Sequence, residues 1–332
     1  MSIDWKGARV LVCGGTGLIG SHIARELVTR GARVTFVDNL SGGSENNIKD
    51  LRDNVECLTQ DLRDRDVCQR ITKKVDYVFQ LAANMGGIGY ITSVGADIIR
   101  DNATINLNML QAALDNKVPN YFFSSSACVY PEYKQKDTHV VPLKEEDAHP
   151  AEPDQFYGWE KLFTEKLCEA YQKDYGMNIR IARFHNVFGP IYTGFDKFRG
   201  KAPCHLIMKA IRHPNPEFTI WGDGEQTRSF LYIDDCVDGV LRLMDSSYEK
   251  PINIGSDRLV TINELAQIVI KISGKNITPK HDLSKPQGVR GRNADLTLLR
   301  QVLNWEPKVS LEKGLEITYR WAEERFSELE GI

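Results

Sequence analysis

The chain has no excess of either charge, no paired cysteines and no long apolar run, and each absence removes a class of protein. Its 42 lysines and arginines stand against 45 aspartates and glutamates, a net charge of -3. Nothing draws the whole molecule to nucleic acid, so an anionic ligand has to be met by a local basic cluster. The 7 cysteines are odd in number, and no two are spaced C-x-x-C. That argues against a disulfide framework or a zinc site and fits a reducing compartment. No cluster of His, Cys and Asp has ligand spacing, so no metal is expected. No apolar run reaches the roughly 20 residues of a membrane span. The first residues, Met1 to Lys6, open no apolar core of a signal peptide. The expectation is a cytoplasmic protein with neither a membrane nor a nucleic acid as partner.

What is present is an alternation of strand and helix signals. A chain of 332 residues is long for one domain. Apolar runs at residues 9–13, 33–37, 55–58, 77–81, 121–124 and 178–184 read as buried strands. Helical periodicity covers residues 18–30, 104–114 and 159–175, the first ending at Gly31. This order predicts an α/β fold with a doubly wound parallel Rossmann sheet. Beyond Asn186 the rhythm breaks into Gly, Pro and aromatic residues, with a turn at Trp221-Gly222-Asp223-Gly224. A strand at 251–255 and capped helices at 261–273 and 310–329 follow. The expected division is a dinucleotide-binding domain over 1–186, with a returning segment near 225–256, and a smaller C-terminal α/β substrate domain over 187–332.

Gly14, Gly17 and Gly20 stand between the first strand and the first helix. The first permits the tight turn, the second a close approach to a pyrophosphate, and the third close packing of helix on strand. The helix start, Leu18 and Ile19, then offers free N–H groups to phosphate. Asp38 ends the second strand, about 20 residues on, where a carboxylate bonds ribose hydroxyls and repels a 2′-phosphate. Asn39, Leu40 and Ser41 follow it rather than an arginine, so NAD is expected over NADP. Asp61 and Leu62 after the third strand, and Ala82 after the fourth, fall where the adenosine walls belong.

Tyr157 and Lys161 are an i, i+4 pair and share a helix face. A lysine ammonium and a positive nicotinamide ring lower a phenol's pKa, so Tyr157 is the expected base. Ser126, just past the fifth strand, can donate to the same substrate oxygen. With this triad behind a glycine fingerprint, the chain resembles the extended short-chain dehydrogenase/reductase family. The resemblance implies tightly held NAD and a nucleotide-sugar pocket in the C-terminal part, and passes the Ser-Tyr-Lys roles to Ser126, Tyr157 and Lys161. The last two also count as cofactor contacts.

Longer stretches are more specific. Residues 82–87 (which include Met85 and Gly86), 125–132, 183–186, 201–203, 221–224, 226–230 and 289–293 resemble the GDP-mannose 3,5-epimerases, a similarity running from about Gly7 to the last helix. The resemblance implies that Cys128 and Lys201 are the acid/base pair. It also implies that Asn186, Lys209, Gln226 and Arg292 hold the substrate, chiefly its diphosphate, with Met85, Gly86 and Ser126 in the same pocket. A homodimer paired through the two long helices flanking the sheet is implied as well. Residues 191–200, which contain a second lysine, Lys197, and Ile88-Gly89-Tyr90 depart from the family pattern.

The chemistry gives the cysteine a task of its own. A ketone at C4 of the sugar acidifies the protons on C3 and C5, and inverting those carbons needs a base on one face and an acid on the other. A thiolate near cationic groups and a partly desolvated lysine suit those tasks. Arg290 and Arg292 lie two apart, so on an extended segment they share a face and can clamp a diphosphate. A 4-epimerase and a 4,6-dehydratase remain as alternatives. The former commonly has Thr at the position of Cys128, and the latter an Asp-Glu pair at Ala127-Cys128. A regulator that binds the cofactor without catalysis is the alternative of another class, and such proteins usually lose the Tyr or the Lys.

Overall fold

The computed structural model describes residues 3–153, 155–195, 200–285 and 287–329. Its centre is built from β1 (Arg9–Cys13), α1 (Leu18–Thr29), β2 (Arg33–Asp38), β3 (Val55–Thr59), α2 (Arg65–Ile71) and β4 (Tyr77–Gln80). Next come α3 (Ile88–Ser93), α4 (Gly95–Asp115), β5 (Asn120–Ser126), α5 (Phe156–Tyr175) and β6 (Ile179–Phe184). With the strand Ile252–Ile254 they form a 7-stranded sheet in the order Ile252–Ile254, β6, β5, β4, β1, β2, β3. All its neighbours run parallel. The chain leaves β1 toward β2 and β3, then crosses back to β4. The order therefore reverses between β1 and β4, and a crevice opens outside their carboxyl ends.

Alternation along β1 shows why both faces are covered. Val10 and Val12 pack with Ile23 and Leu27 of α1, whereas Leu11 and Cys13 pack with Val67 and Cys68 of α2 and Met109 and Leu110 of α4. The first face is completed by α7 (Ile233–Asp245), which precedes the last sheet strand and joins the same apolar cluster as α1.

The C-terminal half packs α6 (Ala202–Arg212) and α8 (Ile262–Ser273) with the helix Leu311–Glu324. Beside them lies a 3-stranded sheet in the order Leu259–Thr261, Thr227–Ser229, Gly291–Arg292. α8 starts as its sequence predicts. Thr261 accepts from the Glu264 amide at 2.9 Å and Glu264 accepts from the Thr261 amide at 2.7 Å, a capping box, and left-handed Gly274 closes the helix.

Three expectations change. The helix expected over 104–114 begins nine residues earlier, at Gly95, because Asp101 and Asn102 spend their polar atoms on Arg63, Arg100 and the Asn84 backbone. The helix expected over 310–329 stops at Glu324 and restarts as Phe326–Leu329. Helices α2, α3, α6 and α7 were not foreseen.

Candidate active site

Two cavities, of about 380 and about 250 Å³, open outside the carboxyl ends of the strands. The larger runs over the β1–α1 turn. Gly14, Gly17, Leu18, Ile19, Gly20, Asp38, Asp61, Leu62 and Ala82 all line it. Gly20 is required there, since a Cβ on it would come within 2.2 Å of the Gly14 carbonyl oxygen. Gly17 caps α1 without a side-chain bond, so the first N–H groups of the helix stay free for a phosphate. The Asp38 carboxylate is aimed by two amides, Thr16 N–H at 3.1 Å and Leu40 N–H at 2.8 Å, with Leu40 in the left-handed region at φ 60°. Asp61 is held by Arg63, which pulls its carboxyl down to about 2. Arg63, unnoticed in the sequence, also lines this cavity. An open helix end, a glycine cradle and an oriented acid at the second strand fit a dinucleotide of the NAD type.

The smaller cavity shares a wall with the larger, made of Met85, Gly86, Ser126, Tyr157, Asn186 and Lys201 among others. β5 delivers Ser126, whose Oγ accepts the Cys128 N–H at 3.2 Å and so fixes the turn that carries the thiol. Gly158 lets the first turn of α5 rest on that turn, because a Cβ there would lie 2.0 Å from the Cys128 carbonyl oxygen. Tyr157 and Cys128 are therefore held side by side. The Lys161 ammonium sits over the Tyr157 and Phe123 rings.

Burial governs the electrostatics of this pair in the protein without its cofactor. Burial pushes the Tyr157 phenol well up, Cys128 and Glu160 add to the rise, and only a hydrogen bond with Ser126 opposes it. Burial likewise pushes the Lys161 ammonium down.

Cys128 is half-buried, and its Sγ accepts from Arg292 Nη1 at 3.3 Å. Lys201 is the N-cap of α6, just ahead of Ala202 and Pro203 at the start of the helix. It keeps solvent access along the open cleft, yet protein crowds its ammonium and burial pushes its pKa down against the raising influence of Cys128. One and two turns further on, His205 and Lys209 line the same cavity. The spacing 201, 205, 209 is one helix face, a signal that could have found His205. Lys209 Nζ is pinned to Thr219, 2.6 Å from its carbonyl oxygen and 2.9 Å from Oγ1. Asn186 Nδ2 donates to the Ser229 carbonyl at 2.9 Å. Gln226 Nε2 donates to the Trp221 carbonyl at 3.1 Å, leaving its buried Oε1 without a partner among the described residues. Ile88-Gly89-Tyr90 opens α3, and Tyr90 OH donates to Asn84 at 2.7 Å.

Arg290 does not join Arg292. Its guanidinium is taken by Asp223 at 3.0 Å and Gln287 at 2.7 Å, and it does not line the cavity. The shared face expected of this pair fails because only Gly291–Arg292 is strand, and the chain turns at Arg290. Lys197 lies outside the described residues. Among the described residues, no three His, Cys, Asp or Glu side chains gather to hold a metal ion, and no helix is long and apolar enough to cross a membrane.

Sheet, glycine cradle and a wall of Ser126 and Tyr157, with Lys161 buried against the Tyr157 ring and lining neither cavity, define a dinucleotide-dependent enzyme of the extended short-chain dehydrogenase/reductase class. The NAD dependent epimerase/dehydratase family model matches residues 10–255, and the chain belongs to that family. GDP-mannose 3,5-epimerase 1 of Oryza sativa subsp. indica is 46% identical over 317 residues, covering 96% of this chain and 82% of that protein. GDP-mannose 3,5-epimerase of Arabidopsis thaliana is 45% identical over 320 residues, covering 96% and 83%. In three dimensions the chain is similar to the crystal structure of UDP-glucose 4-epimerase from Thermotoga maritima with UDP-glucose, at TM-score 0.87 and 30% identity, covering 96% and 99%. NAD is its cofactor.

Proposed function

We propose that the chain epimerises GDP-mannose at C3 and C5, turning GDP-D-mannose into GDP-L-galactose and, by inversion at C5 alone, into GDP-L-gulose. The observation that carries this reading is that a thiol, Cys128, and an ammonium, Lys201, line one cavity with Ser126 and Tyr157. A 4-epimerase needs no such second pair. Bound NAD supplies a reversible hydride acceptor for C4 and a positive ring charge.

Tyr157 takes the proton of the C4 hydroxyl and later returns it, while Ser126 holds the oxygen. With C4 oxidised, the C3 and C5 protons are acidic. Cys128 and Lys201 then remove a proton from one face of the sugar ring and deliver one to the other. Asn186, Lys209, Gln226 and Arg292 hold the nucleotide part. In this division residues 1–186, with the segment near 225–256, bind NAD, and residues 187–332 bind the nucleotide sugar.

Two further parts of the reading have support. Phe156, Trp159 and Phe163 of α5 and Leu107 of α4 are large exposed apolar side chains on two helices that pack together. Such a patch suits a homodimer interface. All seven cysteines are free, as a cytoplasmic setting requires. Incubation with GDP-mannose tests the function. Products inverted at C3 and C5 support it, whereas inversion at C4 alone, dehydration or no turnover sinks it.

A further inference from the structure

We propose that Gln135 is a positioning residue for the Cys128 thiol, acting through the guanidinium of Arg292. The proposal rests on the epimerase reading above. Gln135 is buried and ends the short 3-10 turn Glu132–Gln135, just beyond the turn that carries Cys128. Its Nε2 donates to two carbonyl oxygens, Tyr130 at 3.0 Å and Pro131 at 3.1 Å. A carbonyl can only accept, so both amide hydrogens are committed and the side chain cannot be turned over. Oε1 must then face the other way, where it accepts from Arg292 Nε at 2.5 Å.

The backbone adds a second stitch between the same two segments, the Arg290 N–H donating to the Gln135 carbonyl at 3.0 Å. A planar guanidinium held at Nε has one orientation left. In that orientation Nη1 meets Cys128 Sγ at 3.3 Å. A continuous line thus runs from the backbone of the cysteine's own loop, through the Gln135 amide and Arg292, back to the sulfur. Residues 128 and 292 come from opposite halves of the chain, and Gln135 fixes how they meet.

The consequence is confined to one step. The hydrogen bonds of the Gln135 side chain go to Tyr130, Pro131 and Arg292 and not to Ser126, Tyr157 or Lys161, so C4 oxidation does not depend on it. Proton exchange at C3 and C5 does, because it needs the sulfur held at one place with its cation beside it.

Two variants test this: Q135M, which keeps the volume but has no amide, and R292K, which keeps the charge but has no Nε for Gln135. Three quantities are read: alkylation of Cys128 by iodoacetamide followed by peptide mapping, deuterium uptake at C3 and C5 of GDP-mannose, and the transient NADH absorbance. NAD affinity checks the fold. In both variants alkylation and deuterium uptake are expected to fall between about tenfold and a hundredfold. In Q135M the NADH transient at saturating GDP-mannose should stay within about twofold, against the parallel loss of every step that a merely structural role would give. The double variant should be no worse than R292K alone, since one residue acts through the other.

Wild-type alkylation and uptake in Q135M overturn the proposal, as do additive losses in the double variant. If Q135M does not fold, unchanged alkylation in R292K overturns it. A wild-type enzyme that takes up no deuterium overturns the epimerase reading instead. The alkylation comparison then decides the positioning of Cys128 without any substrate.

Discussion

The Lys161 ammonium sits over the Tyr157 ring, 5.6 Å from its centroid, and over the Phe123 ring at 4.9 Å. Both groups are buried, and burial favours the neutral form of each, raising the phenol and lowering the ammonium. A positive nicotinamide ring beside the pair would act in the opposite sense on the phenol. Tyr157→Phe keeps the ring and its packing but removes the base. Turnover should fall by ~10²–10⁴-fold, the scale of general-base catalysis. Steady-state assay checks it, and near wild-type turnover would assign the step to another group.

Asp38 should choose the cofactor. Its two oxygens are already oriented by the Thr16 and Leu40 amides. Asp38→Ala should weaken NAD by about 1.5–3 kcal/mol, the worth of a charged hydrogen bond, roughly a tenfold to hundredfold rise in Kd. Titration of the cofactor-free protein reads this, and a wild-type preference for NADP would refute the assignment.

The exposed stripe on α5 should hold two copies together. Trp159→Glu with Phe163→Glu puts charge on that face without touching the core. Sedimentation should show a dimer in the wild type and a monomer in the variant. A wild-type monomer removes the interface from the reading.

Acid should cost stability through buried histidine. His185 is fully buried, and burial pushes its pKa to about 3, against the 6.5 of a free imidazole. Below about 6.5 the unfolded chain takes up a proton that the folded one refuses, so stability is present above that pH and is lost as pH falls toward 3. Near pH 5 the loss from this residue is about 2 kcal/mol. His22, lowered to about 4, acts in the same sense. Thermal melting from about pH 7 to about pH 5 should show a fall that His185→Gln flattens. An equally steep fall in that variant would place the effect elsewhere.

The legible parts of the sequence were those whose signals are local. β1, α1 and β2 were readable because Gly14, Gly17, Gly20 and Asp38 sit on one short strand-turn-helix-strand unit. α8 was readable because Thr261 and Glu264 write their own cap. The C-terminal half was harder because its strands are two or three residues long and pair across the chain: Thr227–Ser229 with Leu259–Thr261 and with Gly291–Arg292. Arg290 was misread for that reason. Nothing local says that Asp223, far away in the sequence, takes its guanidinium. The early half of α4 was missed because Asp97, Arg100, Asp101 and Asn102 break the apolar period, and the partners of Asp101 and Asn102, Arg63 and Asn84, are tertiary. Gln135 was invisible for the same reason.

The central claim is that redox chemistry and proton exchange belong to different residues of one cleft. Cys128→Ser, with Lys201→Ala beside it, in deuterated water separates them most directly. Serine keeps size and polarity but is a far weaker acid than a thiol, and alanine removes the opposing ammonium. If the claim holds, both variants bind NAD and still show a transient NADH absorbance with GDP-mannose, but place no deuterium at C3 or C5. Deuterium uptake at nearly the wild-type rate in Cys128→Ser would contradict it, leaving Cys128 a packing residue and the chain better read as a 4-epimerase.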